Sequence, residues 1–140
     1  MGTTEKEIQD QLKRFGALNE KLKYQVEIHG IDKSVFPIIE QMVKLQDARA
    51  DFIASEYKDL MKINPDFAKK LVEQEKELIS AQAKHIDYLG HTGTEAIRNM
   101  ANKNMVELEN IRSDFISAIT DSSQEAGHTT AAKGKPKGRH

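Results

Sequence analysis

The stretch KHIDYLGHTGTEAIRNM, residues 84–100, interrupts a chain that otherwise carries helical spacing along most of its length. It gathers His85, Asp87, Gly90, His91 and Gly93 within a few residues. Gly90 reads as a helix stop, and Thr92 with Glu95 reads as a capping box that starts the next helix. The competing reading is one continuous helix softened by two glycines, each about 1 kcal/mol less favourable than alanine in a helix interior. The break is expected, and if it is flexible the third and fourth helices could open about Tyr88–Ala96 as a hinge. A metal site is not expected. His85 and His91 are six residues apart, which places them on different faces of a helix, whereas paired histidine ligands on one helix sit four apart. Asp87 and Glu95 would join them only if the chain folded back at the glycines.

Outward from this stretch, apolar residues recur at intervals of three and four. Thr4 and Glu7 form a capping box, and Ile8, Leu12, Phe15, Leu18, Leu22 and Val26 form one stripe ending at Gly30. Asp32 or Ser34 caps a second helix, with Pro37 tolerated in its first turn. Ile38, Met42, Leu45, Phe52, Leu60 and Ile63 mark its face, broadened by Ile39, Val43, Ile53, Tyr57 and Met61. Asn64 caps and Pro65 opens a third helix reaching about Leu89, with Phe67, Leu71, Leu78 and Ala81 on one side and Val72, Ile79 and Ile86 beside them. Ile97, Ala101, Met105, Leu108, Ile111, Phe115 and Ile119 define a fourth. Alternation of period two is nowhere sustained. The expected fold is all-α: an antiparallel bundle, or coiled-coil-like amphipathic helices, of about four helices over residues 1–120, with a disordered basic tail over 121–140.

Composition limits the chemistry. The 140 residues are 38% hydrophobic and 31% charged, with no tryptophan and no cysteine. Such a chain buries a seam between helices more readily than a thick core, which makes a homo-oligomer an expectation. Lacking cysteine, it has no disulfide, thiolate metal site or cysteine nucleophile. The net charge of −1 divides into −3 over residues 1–120 and +2 over 121–140. A near-neutral body argues against nucleic acid, which normally meets a basic face. The N-terminus has no apolar signal core, and no run approaches the ~18 apolar residues of a membrane span. A soluble, cytoplasmic protein is expected.

No catalytic residue and no cofactor is expected. The carboxylates Glu73, Glu75 and Glu77, and Glu107 and Glu109, alternate with lysine, glutamine and apolar residues as on solvated helix faces, and acid–base work requires a carboxylate displaced by burial or a neighbour. GHTG at residues 90–93 has the spacing of neither a dinucleotide fingerprint nor a P-loop. KGKPKGR at 133–139 carries four positive charges without an interleaved aromatic, as in a solvated tail or one that touches an anionic surface.

The region from about Ile38 to Ile119 resembles the phasin family, proteins that coat polyhydroxyalkanoate storage granules. The similar segments are LQDARADFIASEYKDLM at 45–61, the break NPDF at 64–67, and KKLVEQEKELISAQAKHIDYLGHTGTEAIRNMANKNMVELENI at 69–111. The tail AAKGKPKGRH also looks like the Ala/Lys/Pro-rich tails of many phasins. The resemblance implies a non-catalytic, oligomer-forming helical protein whose apolar faces meet the polyester at the granule surface. The expected contacts with a hydrophobic surface or partner are Ile38, Met42, Leu45, Phe52, Ile97, Leu108, Ile111 and Phe115, each of which is equally suited to a bundle core. The alternative is a helical protein–protein adaptor or chaperone-like module.

Overall fold

Thr4 opens the first helix as its spacing predicts. Its side chain accepts from the Glu7 amide at 3.2 Å, while the Glu7 carboxylate accepts from the Thr4 amide at 2.8 Å. In the computed structural model, which describes residues 4–30, 32–91 and 93–127 with side chains through residue 122, helix α1 spans Glu5–His29. It stops at Gly30, whose φ of 81° is open to a residue without Cβ.

Asp32 caps a short 3-10 turn at Lys33–Val35 rather than α2 itself. Its Oδ1 accepts from the Ser34 amide at 2.8 Å, and the Ser34 bonds hold its carboxyl below the ordinary aspartate value. Helix α2 then runs Phe36–Ile63 with Pro37 in its first turn. Asn64 joins α2 to α3, Pro65–His91: its Oδ1 accepts from the Phe67 amide at 3.2 Å, and its Nδ2 donates to Glu5 at 3.2 Å, tying this junction to the start of α1. Helix α4 spans Glu95–Gly127. The described residues contain no strand.

The chain therefore breaks between α3 and α4, but by a different device from the expected one. Gly90 lies inside α3, buried, and its missing side chain is a packing requirement: a Cβ there would come within 2.6 Å of the Ala101 Cβ of α4. Glu95 is the first residue of α4, so it cannot be the third-position partner of a capping box; Thr92 lies outside the described residues. α4 also runs past residue 120 to Gly127, into the segment expected to be unstructured. The remainder of that tail, 128–140, lies outside the described residues.

Helices α2, α3 and α4 pack on one another, and α1 lies along α2. Pairings across the helices set their directions. Gln46 meets Glu75, Gly90 meets Ala101 and Glu5 meets Asn64, so α2 is antiparallel to α1 and to α3, and α3 to α4. The core is Ile39, Met42, Ile53, Leu60, Ile79, Ile86, Leu108 and Ile111 with their neighbours. Within each helix these residues are three, seven or eleven apart, close to whole numbers of turns, so one face per helix turns inward.

Candidate functional site

Two places bring polar and apolar side chains together in a way the sequence reading did not foresee. The first is the junction of α1, α2 and α3. Glu75 has no exposed surface. Gln46 Nε2 donates to its Oε2 at 2.5 Å, and Arg49 Nε donates to its Oε1 at 2.6 Å. Arg49 Nη1 also donates to the Leu12 carbonyl of α1 at 3.3 Å. Burial raises the Glu75 carboxyl above the ordinary glutamate value, opposed by the hydrogen bond and charge of Arg49 and then by Gln46. About two turns further along α3, Gln82 donates to Asn19 of α1 at 3.1 Å. Half-buried His85 follows, facing Lys23 and Glu27 of α1. Loss of water lowers its pKa below the usual 6.5, with Lys23 acting in the same direction.

The second place is a groove of about 590 Å³ between α3 and α4, lined by Ile79, Ala83, Leu108 and Ile116, with Ser80 and Arg112 among its polar members. Buried Arg112 Nε has no hydrogen-bond partner among the described residues.

The expected contact residues fall mostly into the core. Met42, Ile97, Leu108, Ile111 and Phe115 are buried, and Ile38, Leu45 and Phe52 are half-buried, Phe52 with its ring 6.1 Å from that of Phe15 on α1. All of these but Leu45 belong to the apolar core or pack against it. The large apolar side chains that do face solvent are others: Leu18, Tyr24 and Ile28 on α1, Ile63 at the end of α2, Leu78 and Tyr88 on α3, and Val106 on α4.

The histidines of residues 84–100 do not converge. His85 turns toward α1, whereas exposed His91 pairs within its own helix, its Nδ1 2.8 Å from the Asp87 carbonyl and 3.5 Å from the carboxylate. Among the described residues no group of three or more acidic or histidine side chains is placed to hold a metal ion. None of the helices there is long and apolar enough to cross a membrane.

The sequence did carry a signal for Glu75. Leu71, Glu75, Ile79, Gln82 and Ile86 follow one another at four, four, three and four, so the acid and the amide occupy core positions of the α3 stripe. Reading Glu73, Glu75 and Glu77 as one acidic cluster hid that phase. No protein-family model, curated protein or solved structure matches this chain.

Proposed function

We propose that this chain is a non-catalytic amphipathic helical protein that coats a hydrophobic polymer surface of the kind a polyhydroxyalkanoate granule presents. One observation carries the reading. Four helices, the shortest 25 residues long, each keep one apolar face, and these faces are covered chiefly by one another. Apolar burial is non-directional, at roughly 25 cal/mol per Å² whether the cover is a neighbouring helix or a polyester. A helix that exchanges one cover for the other keeps its own apolar face out of water, while its charged outer face stays in water. The resemblance of residues 38–119 to granule-coating proteins supports the same reading. Exposed Leu18, Tyr24 and Ile28 favour side-by-side association of copies in the coat.

Purified chain mixed with poly(3-hydroxybutyrate) particles tests it. The chain sediments with them, and not with hydrophilic silica, and it lowers the tension of an oil–water interface. Retention in the supernatant contradicts the reading. The α3/α4 groove favours a second one, an adaptor that takes a partner helix along Ile79, Ala83, Leu108 and Ile116. A protein of that kind is indifferent to polymer particles.

A further inference from the structure

We propose that α1 is a detachable arm: it swings about Gly30 away from the α2–α4 body and lays its apolar stripe on the hydrophobic surface. The proposal rests on the coating reading for its occupant, and on three features of the molecule for its mechanics.

The first is how little of α1 is fully buried. Ile8 and Val26 are the only such residues in its 25-residue length, whereas Leu12 and Leu22 are half-buried and Leu18, Tyr24 and Ile28 face water. The second is what lies beneath it. Part of the surface that α1 meets is polar: Arg49 donates to the Leu12 carbonyl, Gln82 donates to Asn19, and half-buried His85 faces Lys23 and Glu27, beside the apolar contacts of Leu12, Leu22 and Phe15. When α1 leaves, these groups regain water, so the departure hydrates charge as well as exposing apolar surface. Three side-chain bonds close the clasp, Arg49 to the Leu12 carbonyl, Gln82 to Asn19 and Asn64 to Glu5, and each can be exchanged for water. The third is the joint. Gly30 holds a φ of 81°, nothing lies within 4 Å of where its Cβ would be, and it ends α1 before the 3-10 turn begins. A few residues at an element end suffice to absorb such a swing.

Once free, α1 presents Ile8, Leu12, Phe15, Leu22 and Val26 along one side, with Leu18 beside them. A helix with this stripe and a polar remainder lies flat at an interface. The junction of α3 and α4 is by contrast flanked by close packing of Gly90 on Ala101. The moving element is α1 and not the α3/α4 pair.

Hydrogen exchange of the full-length chain, free and on poly(3-hydroxybutyrate) particles, tests the arm. Free in solution, amides of residues 9–29 exchange at least tenfold faster than those of 39–60 and 98–115. On the particles, residues 9–29 become protected, and the α3 and α4 amides keep their free-state protection. A Phe15→Glu, Leu22→Glu variant keeps a cooperatively folded α2–α4 body and binds particles at least tenfold more weakly. If α1 exchanges only in step with the rest of the molecule, the arm is refuted even where the chain adsorbs well, and the coating reading survives alone. If residues 9–29 open early yet the full chain ignores the particles, the coating reading fails and takes the arm's surface contact with it.

Discussion

Helices α1 and α4 both lie along α2, yet different chemistry holds them there. α4 turns Ile97, Met100, Ala101, Leu108, Ile111 and Phe115 into a shared apolar core with α2 and α3, and the buried polar side chain among its described residues, Asn104, bonds back to the Met100 carbonyl of its own helix at 2.9 Å. α1 contributes Ile8 and Val26 as its only fully buried side chains, packs Leu12 and Leu22 against the core and Phe15 near Phe52, and meets its neighbours as well through Asn19, the Leu12 carbonyl and Glu5. An apolar interface resists separation because water gains nothing from the exposed surface, whereas a polar one exchanges protein partners for water at small net cost. Local stability should therefore divide between α1 and the α2–α4 body.

The largest effect that can break this comparison is a cavity in the body. Leu108→Ala removes a side chain with no exposed surface and should cost about 2–5 kcal/mol, seen in denaturant unfolding as loss of all helices together. The matching change in α1, Ile8→Ala, should accelerate exchange of residues 9–29 and leave the unfolding midpoint of the body nearly where it was. Equal shifts from the two substitutions would erase the distinction.

Next comes the buried ion pair of Glu75 with Arg49. Glu75→Ala leaves Arg49 and Gln46 without their shared acceptor. A cost of about 3 kcal/mol is expected, at the low end for breaking a buried ion pair, because Arg49 still reaches solvent. Chemical denaturation measures it, and Glu75→Gln, which keeps the shape but not the charge, should cost less. Smaller again is Gly90→Ala. The new methyl meets Ala101, and overpacking of about 1–3 kcal/mol is offset by about 1 kcal/mol of improved helix propensity. A net loss near 1 kcal/mol in thermal unfolding, confined to the α3/α4 contact, is the expected outcome, and a gain in stability would show that the two helices are less closely fitted.

The smallest effect sharpens the comparison through pH. Burial lowers the His85 pKa below 6.5 in the folded state, so the unfolded chain takes up the proton first, and stability is full above pH 6.5 and declines as the pH falls below it. Glu75 has the opposite sign. Its folded-state pKa is raised above 4.5, so the stability its protonation contributes is present below pH 4.5 and is lost as the pH rises through the folded value. Between pH 8 and pH 6, α1 should lose protection, measured by hydrogen exchange corrected for intrinsic rate, and His85→Gln should flatten that dependence.

Much of the fold was legible because its cues are local. The Thr4–Glu7 box, the Gly30 stop and the Asn64-Pro65 junction each depend on groups within a few residues, and each stands where the spacing put it. What stayed hidden depends on distant partners. Leu18 fits the spacing of an α1 stripe as well as Asn19 does, and only the presence of Gln82 opposite decides that Asn19 turns inward and Leu18 outward. Gly90 resembles a helix stop until Ala101 is seen against it. Glu75 looks solvated beside Glu73 and Glu77 because nothing nearby in sequence announces Arg49, 26 residues away. The apolar residues named as surface contacts were recognised as apolar stripes, but a stripe does not specify what covers it, and here the neighbouring helices do.

The most direct test of the division between arm and body is thermal unfolding of a chain lacking residues 1–30, followed by circular dichroism. A self-sufficient α2–α4 body predicts a helical protein that still melts in one cooperative transition. Loss of that transition, leaving a gradual melt or an unfolded chain, would contradict the account by showing that α1 is an integral part of the core.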